Sequence, residues 1–393
     1  MSMHGAIWVF AQVLIGYNLL MPFFLYSLYS LRRKKSVILS TSTLQADYAI
    51  IVTAYQQTTF LPDVVTSLLH LNYSNYLIYI VADNCDVSML HFSDPRVVVL
   101  KPEKIIASNT GSHFYAIRHF QRPHHRLTII DSDNLVDAEY LNELNHYFDK
   151  GYHAVQGVRA PKNLDSTFAC LDAARDIYYH YYDGKILFGA GSSATLAGSG
   201  MAFTTRLYRE CLEHLEVRGA GFDKVLQYQV VKRGYRIAFA EKAIVWDEKT
   251  TQSDQLVKQR ARWINTWFRY FGYGFDLIKK GLFRGSLNQW LFGIVLLRPP
   301  LFIFLLLSVA CLLVNLFIAP AAAIVWLLGI VLFIAAFTVS LIYSDTDRKI
   351  YRSLLNIPKF IFFQVLSLTK VMRANKYSVA TQHFHKVANN ESR

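Results

Sequence analysis

Three long apolar runs constrain this chain more than any other feature of its sequence. Ile7 to Leu31, Leu301 to Ile318 and Ala321 to Ile342 are almost wholly apolar, and the last two are separated only by Ala319-Pro320. A helix needs roughly 20 apolar residues to cross a bilayer. We therefore predict one membrane-spanning helix near the N-terminal end and a transmembrane hairpin after the middle of the chain.

The basic cluster Arg32-Arg33-Lys34-Lys35 directly follows the first apolar run. No charged segment precedes this run and no small-residue cleavage site follows it, so a membrane anchor fits better than a cleaved signal peptide. Because basic residues stay on the cytosolic side, we expect the N-terminus outside and the following domain in the cytosol. The predicted location is an inner or plasma membrane.

Charge and cysteine usage narrow the classes of partner. The 393-residue chain has a net charge of +13, and no nucleic-acid module is recognisable, so we expect membrane lipids and no nucleic acid as partners. Its four cysteines form no CxxC or Cys/His metal spacing. They are typical of free thiols in a reducing compartment.

The middle of the chain alternates short β-rich runs with helical ones. Such alternation predicts βαβ units and an α/β domain with a mainly parallel sheet. The predicted strands are 48–53, 77–82, 96–100, 127–130, 236–240 and 244–248. The predicted helices are 60–71, 111–120 and 223–233.

Acidic residues follow two of these predicted strands. Asp131-Ser132-Asp133-Asn134 comes after one apolar run, and Asp83 ends another. Ligands of open α/β sheets bind at the carboxyl ends of the strands, and carboxylates suit Mg²⁺ or Mn²⁺. We predict a metal-assisted nucleotide site there. The alternative is that these acids only form turns.

Two downstream stretches are candidates for ligand contact. Gly189–Ser193 and Gly198–Phe203 form a small-residue region that would be flexible, and its glycines either let backbone approach a ligand or are ordinary loop residues. Gln259, Arg262 and Trp263 share one face of a predicted helix. A guanidinium can clamp a diphosphate and an indole can support a sugar ring, although a basic amphipathic helix on the membrane has the same pattern.

The predicted domain boundaries follow from these patterns. They are an N-terminal anchor at 1–35, a cytosolic domain at 45–275, an interface helix with the transmembrane hairpin at 282–345, and an interface helix with a basic cytosolic tail at 346–393. Residues 356–368 are the second interface helix, with a fourth span as the alternative.

Taken in order, Asp83, Asp131-x-Asp133, Asp223 and Gln259-x-x-Arg262-Trp263 resemble a known signature. It is the D, D, D, Q-x-x-R-W pattern of membrane-bound family 2 glycosyltransferases, which include cellulose, chitin and hyaluronan synthases and ceramide glucosyltransferase. The resemblance covers about residues 48–271. It implies a GT-A fold, a nucleoside-diphosphate sugar donor, usually a UDP-sugar, and inversion at the anomeric carbon.

The resemblance also implies residue roles. Asp223 would be the catalytic base, and Asp131 and Asp133 would hold Mg²⁺ or Mn²⁺. Donor-binding roles fall to Thr53, Ala54, Tyr55, Asp83, Asp131 and Arg262. Acceptor and diphosphate contacts fall to Gly198, Ser199, Gly200, Gln259 and Trp263.

Departures from the family pattern leave alternatives open. Phe222 and Lys224 flank Asp223 where a second acid is usual, so a catalytically inactive subunit that binds nucleotide sugar or glycan is the second hypothesis. The small number of predicted membrane spans, three or four, argues against a polymer channel within one chain. A glycan and a lipid-linked acceptor therefore stand about even, and a homodimer sharing a pore is a further option. A transporter is disfavoured because the spans lack paired ionisable residues.

Overall fold

A computed structural model of the protein describes residues 3–32, 46–217 and 219–374. Residues 33–35 of the predicted basic cluster, and the tail from residue 375, lie outside the described residues.

Eight strands and fifteen α-helices are assigned within the described ranges. The strands are β1 Tyr48–Tyr55, β2 Tyr76–Asp83, β3 Val97–Leu100, β4 Arg126–Asp131, β5 Leu135–Val136, β6 Ala154–Pro161, β7 Met201–Thr204 and β8 Ile237–Asp247. The helices are α1 Met3–Arg32, α2 Leu61–Leu69, α3 Asn109–Arg118, α4 Tyr140–Phe148, α5 Thr167–Tyr179, α6 Leu187–Gly189, α7 Thr205–Leu212, α8 Phe222–Lys232, α9 Ser253–Tyr270, α10 Tyr273–Arg284, α11 Leu287–Leu297, α12 Leu301–Ile318, α13 Pro320–Tyr343, α14 Arg348–Ser353 and α15 Ile357–Leu368. A π-helix, His180–Ile186, joins α5 to α6.

The strands form one sheet in the order β3-β2-β1-β4-β7-β6-β8-β5. Neighbours β3-β2, β2-β1, β1-β4 and β6-β8 run parallel, whereas β7 and β5 pair antiparallel with their neighbours. This confirms the predicted α/β class with a mainly parallel, GT-A-like sheet and apolar helices at both ends. The parallel half brings the carboxyl ends of β1, β2 and β4 to one edge.

Alternation along the strands supplies a core on each face of the sheet. In β1, Tyr48, Ile50 and Val52 pack under α2 and α4, while Ala49 and Ile51 face the other side. The second side continues without a break into side chains of α1 and α11 to α13. The apolar helices are therefore packed onto the same core that supports the sheet.

The structure differs from the predictions in two regions of the sheet. The predicted strands 236–240 and 244–248 are the single strand β8, because the exposed Glu241-Lys242 pair is absorbed by a register shift against β6 rather than by a turn. The predicted flexible region 198–203 also ends in a strand, since Met201–Thr204 is β7 between β4 and β6. Small residues there allow close strand packing.

Within the described part of the chain, three helices are long and apolar enough to cross a membrane: Gly5–Arg32, Leu301–Ile318 and Pro320–Tyr343. They contact one another through polar groups as well as apolar ones, since Asn315 Nδ2 and Trp326 Nε1 both donate to Gln12 Oε1, at 2.6 and 2.7 Å. α15 has 12 residues, fewer than the roughly 17 that a span requires. Its placement as an interface helix remains a prediction.

Candidate active site

A cavity of about 620 Å³ opens at the carboxyl edge of the parallel strands. Thr53 and Tyr55 of β1 line it together with Asp131 and Asp133, which follow β4. Strand register explains part of this grouping, because Thr53 pairs directly with Asp131. The acids predicted from the Asp-x-Asp pattern therefore do face a ligand-sized space.

The turn that carries the two acids is held at several points. The Asp131 N–H donates to Ser199 Oγ at 3.1 Å, and the Asn134 N–H closes the turn onto the Asp131 carbonyl at 3.1 Å. The Asn134 side chain is buried, and its Nδ2 donates to Asp247 Oδ1 at 3.2 Å. The position of Asp133 is thus determined by β7 and β8 as well as by its own strand.

Asp83 and Ala54 do not line this cavity. The Asp83 carboxylate accepts hydrogen bonds from the Ile106 and Ala107 backbone N–H groups at 2.9 and 2.6 Å, and Asp83 is only 2% exposed. It therefore orders the loop before α3, where Ala107 has a positive φ of 48°. Ala54 is buried in the core between the sheet and the helices α2 and α4.

The predicted small-residue loop reaches the cavity through Gly198. Ser199 is fully buried, and the Gly200 carbonyl accepts from the Gly157 N–H at 2.8 Å and from Gln156 Nε2 at 3.2 Å. Gly198 and Gly200 have φ values of 90° and 66°, a region that favours glycine. This loop connects the Asp131 turn to β6.

Asp223 lies in the first turn of α8 and lines the same cavity. A carboxylate is favoured there by the helix dipole. The preceding Gly221 has φ of 101°, and a Cβ at this position would lie 2.5 Å from Thr266 Cγ2 on α9. The close approach of Gly221, the N-cap residue of α8, to α9 therefore sets where Asp223 sits. Its neighbour Lys224 places Nζ 3.2 Å from Asp223 Oδ2.

Gln259, Arg262 and Trp263 of α9 all line the cavity, as their shared helical face predicts. Gln259 Oε1 accepts from Thr250 Oγ1 at 3.1 Å, and burial lowers the pKa of Arg262. Two guanidinium carbons lie 4.2 Å from the Trp263 ring centroid; they belong to Arg175 and Arg260.

A buried charge network behind the cavity was not predicted from the sequence. Its members come from four separate segments of the chain and most of them also line the cavity. They are Arg159, Asp172, Arg175, Asp176, Asp247, Lys249 and Arg260. Local signals are limited to the spacing of Asp172, Arg175 and Asp176 on α5 and of Asp247 and Lys249 at the end of β8, because the pairs between these segments join residues that are distant in sequence.

Asp247 and Lys249 form the centre of this network. Asp247 Oδ1 accepts from Arg159 Nη2 at 2.7 Å, and Lys249 Nζ lies 2.8 Å from Asp247 Oδ2 and 2.6 Å from Asp176 Oδ2. Burial alone would raise the pKa of Asp247, but the charges of Arg159 and Lys249 outweigh it and the pKa lies well below its usual range. Burial raises the pKa of Asp172 to about 6, despite the opposing charge of Arg175.

The residues present fit a divalent ion held partly by its substrate. No group of three or more His, Cys, Asp or Glu side chains suited to a metal occurs within the described residues. Asp131 and Asp133 nevertheless offer two carboxylates at the cavity. Mg²⁺ is typically bound by one or two carboxylates together with substrate phosphates and water, and this donor set matches that pattern.

Residues 46–266 match the family model described as glycosyltransferase like family 2. This match covers more than half of the chain. The chain belongs to glycosyltransferase family 2. No curated protein matches the sequence.

Solved structures show where this family 2 glycosyltransferase resembles known folds. The mannosyltransferase PcManGT from Pyrobaculum calidifontis, solved in complex with GDP-Man and Mn²⁺, superposes with a TM-score of 0.58. It is 14% identical and the match covers 90% of this chain and 98% of that chain. S. aureus TarS (residues 1–349) is also 14% identical, with a TM-score of 0.40 over 62% of this chain and 70% of that chain. The first likeness supports the fold assignment along nearly the whole chain.

Proposed function

We propose that this family 2 glycosyltransferase is an inverting, membrane-anchored enzyme that transfers a sugar from a UDP-sugar to a hydroxyl group of a glycan or lipid-linked acceptor. The observation that carries the proposal is the convergence of its predicted motifs. Carboxylates and a guanidinium from three separate segments line one cavity: Asp131 and Asp133, Asp223, and Arg262.

The proposed chemistry is a single displacement. The acceptor oxygen attacks the anomeric carbon from the face opposite the nucleotide, the bond from that carbon to the diphosphate oxygen breaks, and the acceptor proton passes to Asp223. Inversion follows from the single attack. A positioned general base of this kind typically contributes about 10²–10⁴-fold to the rate.

Charge on the departing diphosphate has to be offset. Arg262 is suited to this role because a guanidinium donates two parallel hydrogen bonds to phosphate oxygens. Asp131 and Asp133 would hold Mg²⁺ or Mn²⁺, whose charge stabilises a leaving diphosphate when bound. PcManGT was solved with GDP-Man and Mn²⁺, which supports a nucleotide donor and a divalent ion here.

We further propose that the domain at about 45–275 faces the cytosol and works at the inner leaflet. The three helices among the described residues that are apolar enough to cross a membrane support an integral membrane protein. The N-terminus would lie outside, with Arg32 at the cytosolic end of α1. The cavity extends to Pro300, Leu301 and Phe302 at the start of α12, which suits an acceptor near the membrane.

The test is nucleotide release by the purified full-length protein in detergent with Mg²⁺ or Mn²⁺ and native membrane extract as acceptor, across a panel of UDP-sugars and GDP-mannose. We expect metal-dependent release with one donor and its loss in an Asp133→Asn variant. Asp137→Asn is the matched control, since Asp137 lies outside the cavity lining and an amide oxygen can still accept from the Glu139 N–H. Equal activity of Asp133→Asn and wild type would refute the metal role.

Silence across the whole panel with folded protein would refute the catalytic proposal. It would favour the alternative of a non-catalytic subunit that binds nucleotide sugar or glycan. Calorimetric titration with each nucleotide sugar then distinguishes a binding protein from one without a donor site.

A further inference from the structure

The end of the cavity next to α12 contains three buried polar side chains that the proposed displacement does not use. Asp183, Gln227 and Arg298 are 3%, 0% and 8% exposed, and all three line the cavity. They come from the π-helix, from α8, and from the segment between α11 and α12.

Each of these side chains has one polar atom in a hydrogen bond and another that is not satisfied. Asp183 and Arg298 are paired through Oδ2 and Nη2, and Gln227 Oε1 accepts from the Leu196 N–H at 3.0 Å. Asp183 Oδ1, Gln227 Nε2 and Arg298 Nη1 are buried and have no hydrogen-bond partner within the described ranges of the chain. Because leaving a buried polar atom without a partner is destabilising, three such atoms in one wall indicate a ligand that completes them.

The local backbone supports a functional role for this wall. Asp183 lies in the seven-residue π-helix His180–Ile186. π-helices are rare, and those that occur are often found at functional sites. Here the wider turn sets Asp183 opposite Arg298, which directly precedes Pro299-Pro300 and the first turn of α12.

The wall lies at a defined distance from the proposed base. Gln227 follows Asp223 by four residues on α8, so both side chains project from the same face of the helix. Four residues correspond to a rise of about 6 Å, close to the length of one sugar ring. A ligand held at Gln227 would therefore be about one ring away from a hydroxyl group that faces Asp223.

The atoms left over indicate the chemistry of the ligand. Asp183 and Arg298 neutralise each other, and the free capacity consists of one acceptor and two donors. A hydroxyl group both donates and accepts, so neighbouring hydroxyls of a neutral sugar match all three atoms. An anion would leave the Asp183 oxygen unpaired, and an alkyl chain would leave all three unpaired.

An aromatic ring beside these polar side chains is a further feature expected of a sugar subsite. Tyr179 lines the cavity, and its ring centroid lies 5.6 Å from Arg298 Cζ. A sugar ring carries apolar CH groups on its faces as well as hydroxyls at its edge. The wall offers partners for both kinds of surface.

We propose that Asp183, Gln227 and Arg298 form a subsite for a neutral sugar unit of the acceptor, next to the unit whose hydroxyl group is glycosylated. This inference rests on the proposed function and narrows its acceptor to a molecule that already carries sugar, either a glycan or a glycolipid headgroup. A lipid without sugar would not use the subsite.

The test compares acceptors that differ by one ring. Full-length protein in a polyoxyethylene detergent, which contains no sugar, is assayed for nucleotide release with octyl glycosides of one and two rings, in the glucose and N-acetylglucosamine series. Dioleoylglycerol serves as the sugarless lipid and the free disaccharides as soluble glycans. We expect the two-ring acceptor to have a KM at least about tenfold lower than the one-ring acceptor, as lost hydrogen bonds to charged groups imply.

The decisive variant replaces the ion pair by apolar side chains, Asp183→Leu with Arg298→Met. Replacing both members of a buried pair is often neutral for stability, whereas removing one leaves an unpaired charge. The double variant should raise the KM of the two-ring acceptor about tenfold and leave the one-ring KM and kcat unchanged. Arg126→Met with Asp149→Leu removes a pair outside the cavity lining and is the matched control.

Three results would overturn the subsite. They are equal KM values for one-ring and two-ring acceptors in the wild type, an unchanged ratio in the double variant, and transfer to dioleoylglycerol as efficient as to sugar. Equal use of free and octyl disaccharides would identify soluble glycan as the source, and preference for the octyl forms a glycolipid.

Direct binding separates this inference from the proposed function. Titration calorimetry with the octyl disaccharides on nucleotide-loaded protein requires no turnover. Binding that the double variant loses, without nucleotide release under any condition, would support the subsite and refute the enzyme. Nucleotide release by a wild type that binds no disaccharide would support the enzyme and refute the subsite.

Discussion

The side-chain amide of Asn134 donates to Asp247 Oδ1 at 3.2 Å, which joins the Asp131–Asp133 turn to the end of β8. Asp247 also accepts from Arg159, and the other amino group of that guanidinium donates to the Ala197 carbonyl at 2.7 Å. One carboxylate thus connects the proposed metal turn to the loop before Gly198. Outer contacts of this kind usually control how well metal ligands are positioned.

Asn134→Ala removes this connection without touching Asp131 or Asp133. We expect the metal concentration for half-maximal nucleotide release to rise about tenfold or more, with a smaller change in rate at saturating metal. Metal titration of activity measures it. Asn142→Ala, at a half-buried position of α4 outside the cavity lining, should leave the titration unchanged. An unaltered metal requirement in Asn134→Ala would show that the turn is held without Asp247.

The residues that line the candidate site were predicted better from the sequence than the residues that hold them in position. Apolar periodicity placed Asp131 and Asp133 at a strand end, whereas the role of Asp223 at the same site was implied only by the resemblance to family 2 glycosyltransferases. Asp83 also ends a strand, and the family resemblance implied that it contacts the donor, yet its oxygens are taken by the Ile106 and Ala107 backbone. A strand-end position does not reveal which loop folds back over it.

The buried network shows where sequence reasoning stops. Asp247 and Lys249 read as an ordinary strand end, and their partners Arg159 and Asp176 are more than 70 residues away in the chain. Such pairs form only after the sheet order is set, here by β6 running parallel to β8. The π-helix that carries Asp183 is likewise a tertiary feature, since propensity does not distinguish it from α5.

Asp223→Asn tests the base directly. The amide keeps the size of the side chain and removes its capacity to take a proton, so we expect transfer to fall by about 10²–10⁴-fold while nucleotide-sugar binding persists. Steady-state kinetics and calorimetry on the same preparation measure the two. Asp63→Asn is the control, because Asp63 also lies in the first turn of a helix but is exposed and outside the cavity lining. A reduction below tenfold would remove Asp223 from the mechanism.

Gly221→Ala should impair transfer through packing rather than chemistry. A non-glycine residue at positive φ costs roughly 1–2 kcal/mol, and here the new Cβ would also meet Thr266 and Tyr270 of α9, at 2.5 and 2.9 Å. Relief of that contact would displace the start of α8 and Asp223 with it.

Gly234→Ala separates the two effects of this change. Gly234 has φ of 88° with nothing within 4 Å of an added Cβ, so it carries the backbone strain alone. We expect both variants to lower the thermal midpoint, and only Gly221→Ala to lower kcat about tenfold or more, as a small misplacement of reacting groups does. Equal kcat values in the two variants would contradict the packing argument.

His113 should make stability depend on pH below neutrality. Burial lowers the pKa of this side chain from 6.5 to about 3, and its Nδ1 lies 2.7 Å from the Tyr208 hydroxyl. Between these two values the unfolded chain binds a proton that the folded chain does not, so stability falls as pH falls from about 6.5 toward 3 and is unaffected by this group above 6.5. The slope is at most about 1.4 kcal/mol per pH unit.

Unfolding measured in detergent at pH 4 to 8 tests this. The stability of His113→Gln should fall less steeply toward acid pH, because glutamine can still hydrogen-bond to Tyr208 but does not titrate. Identical slopes for the variant and the wild type would assign the acid sensitivity to other groups.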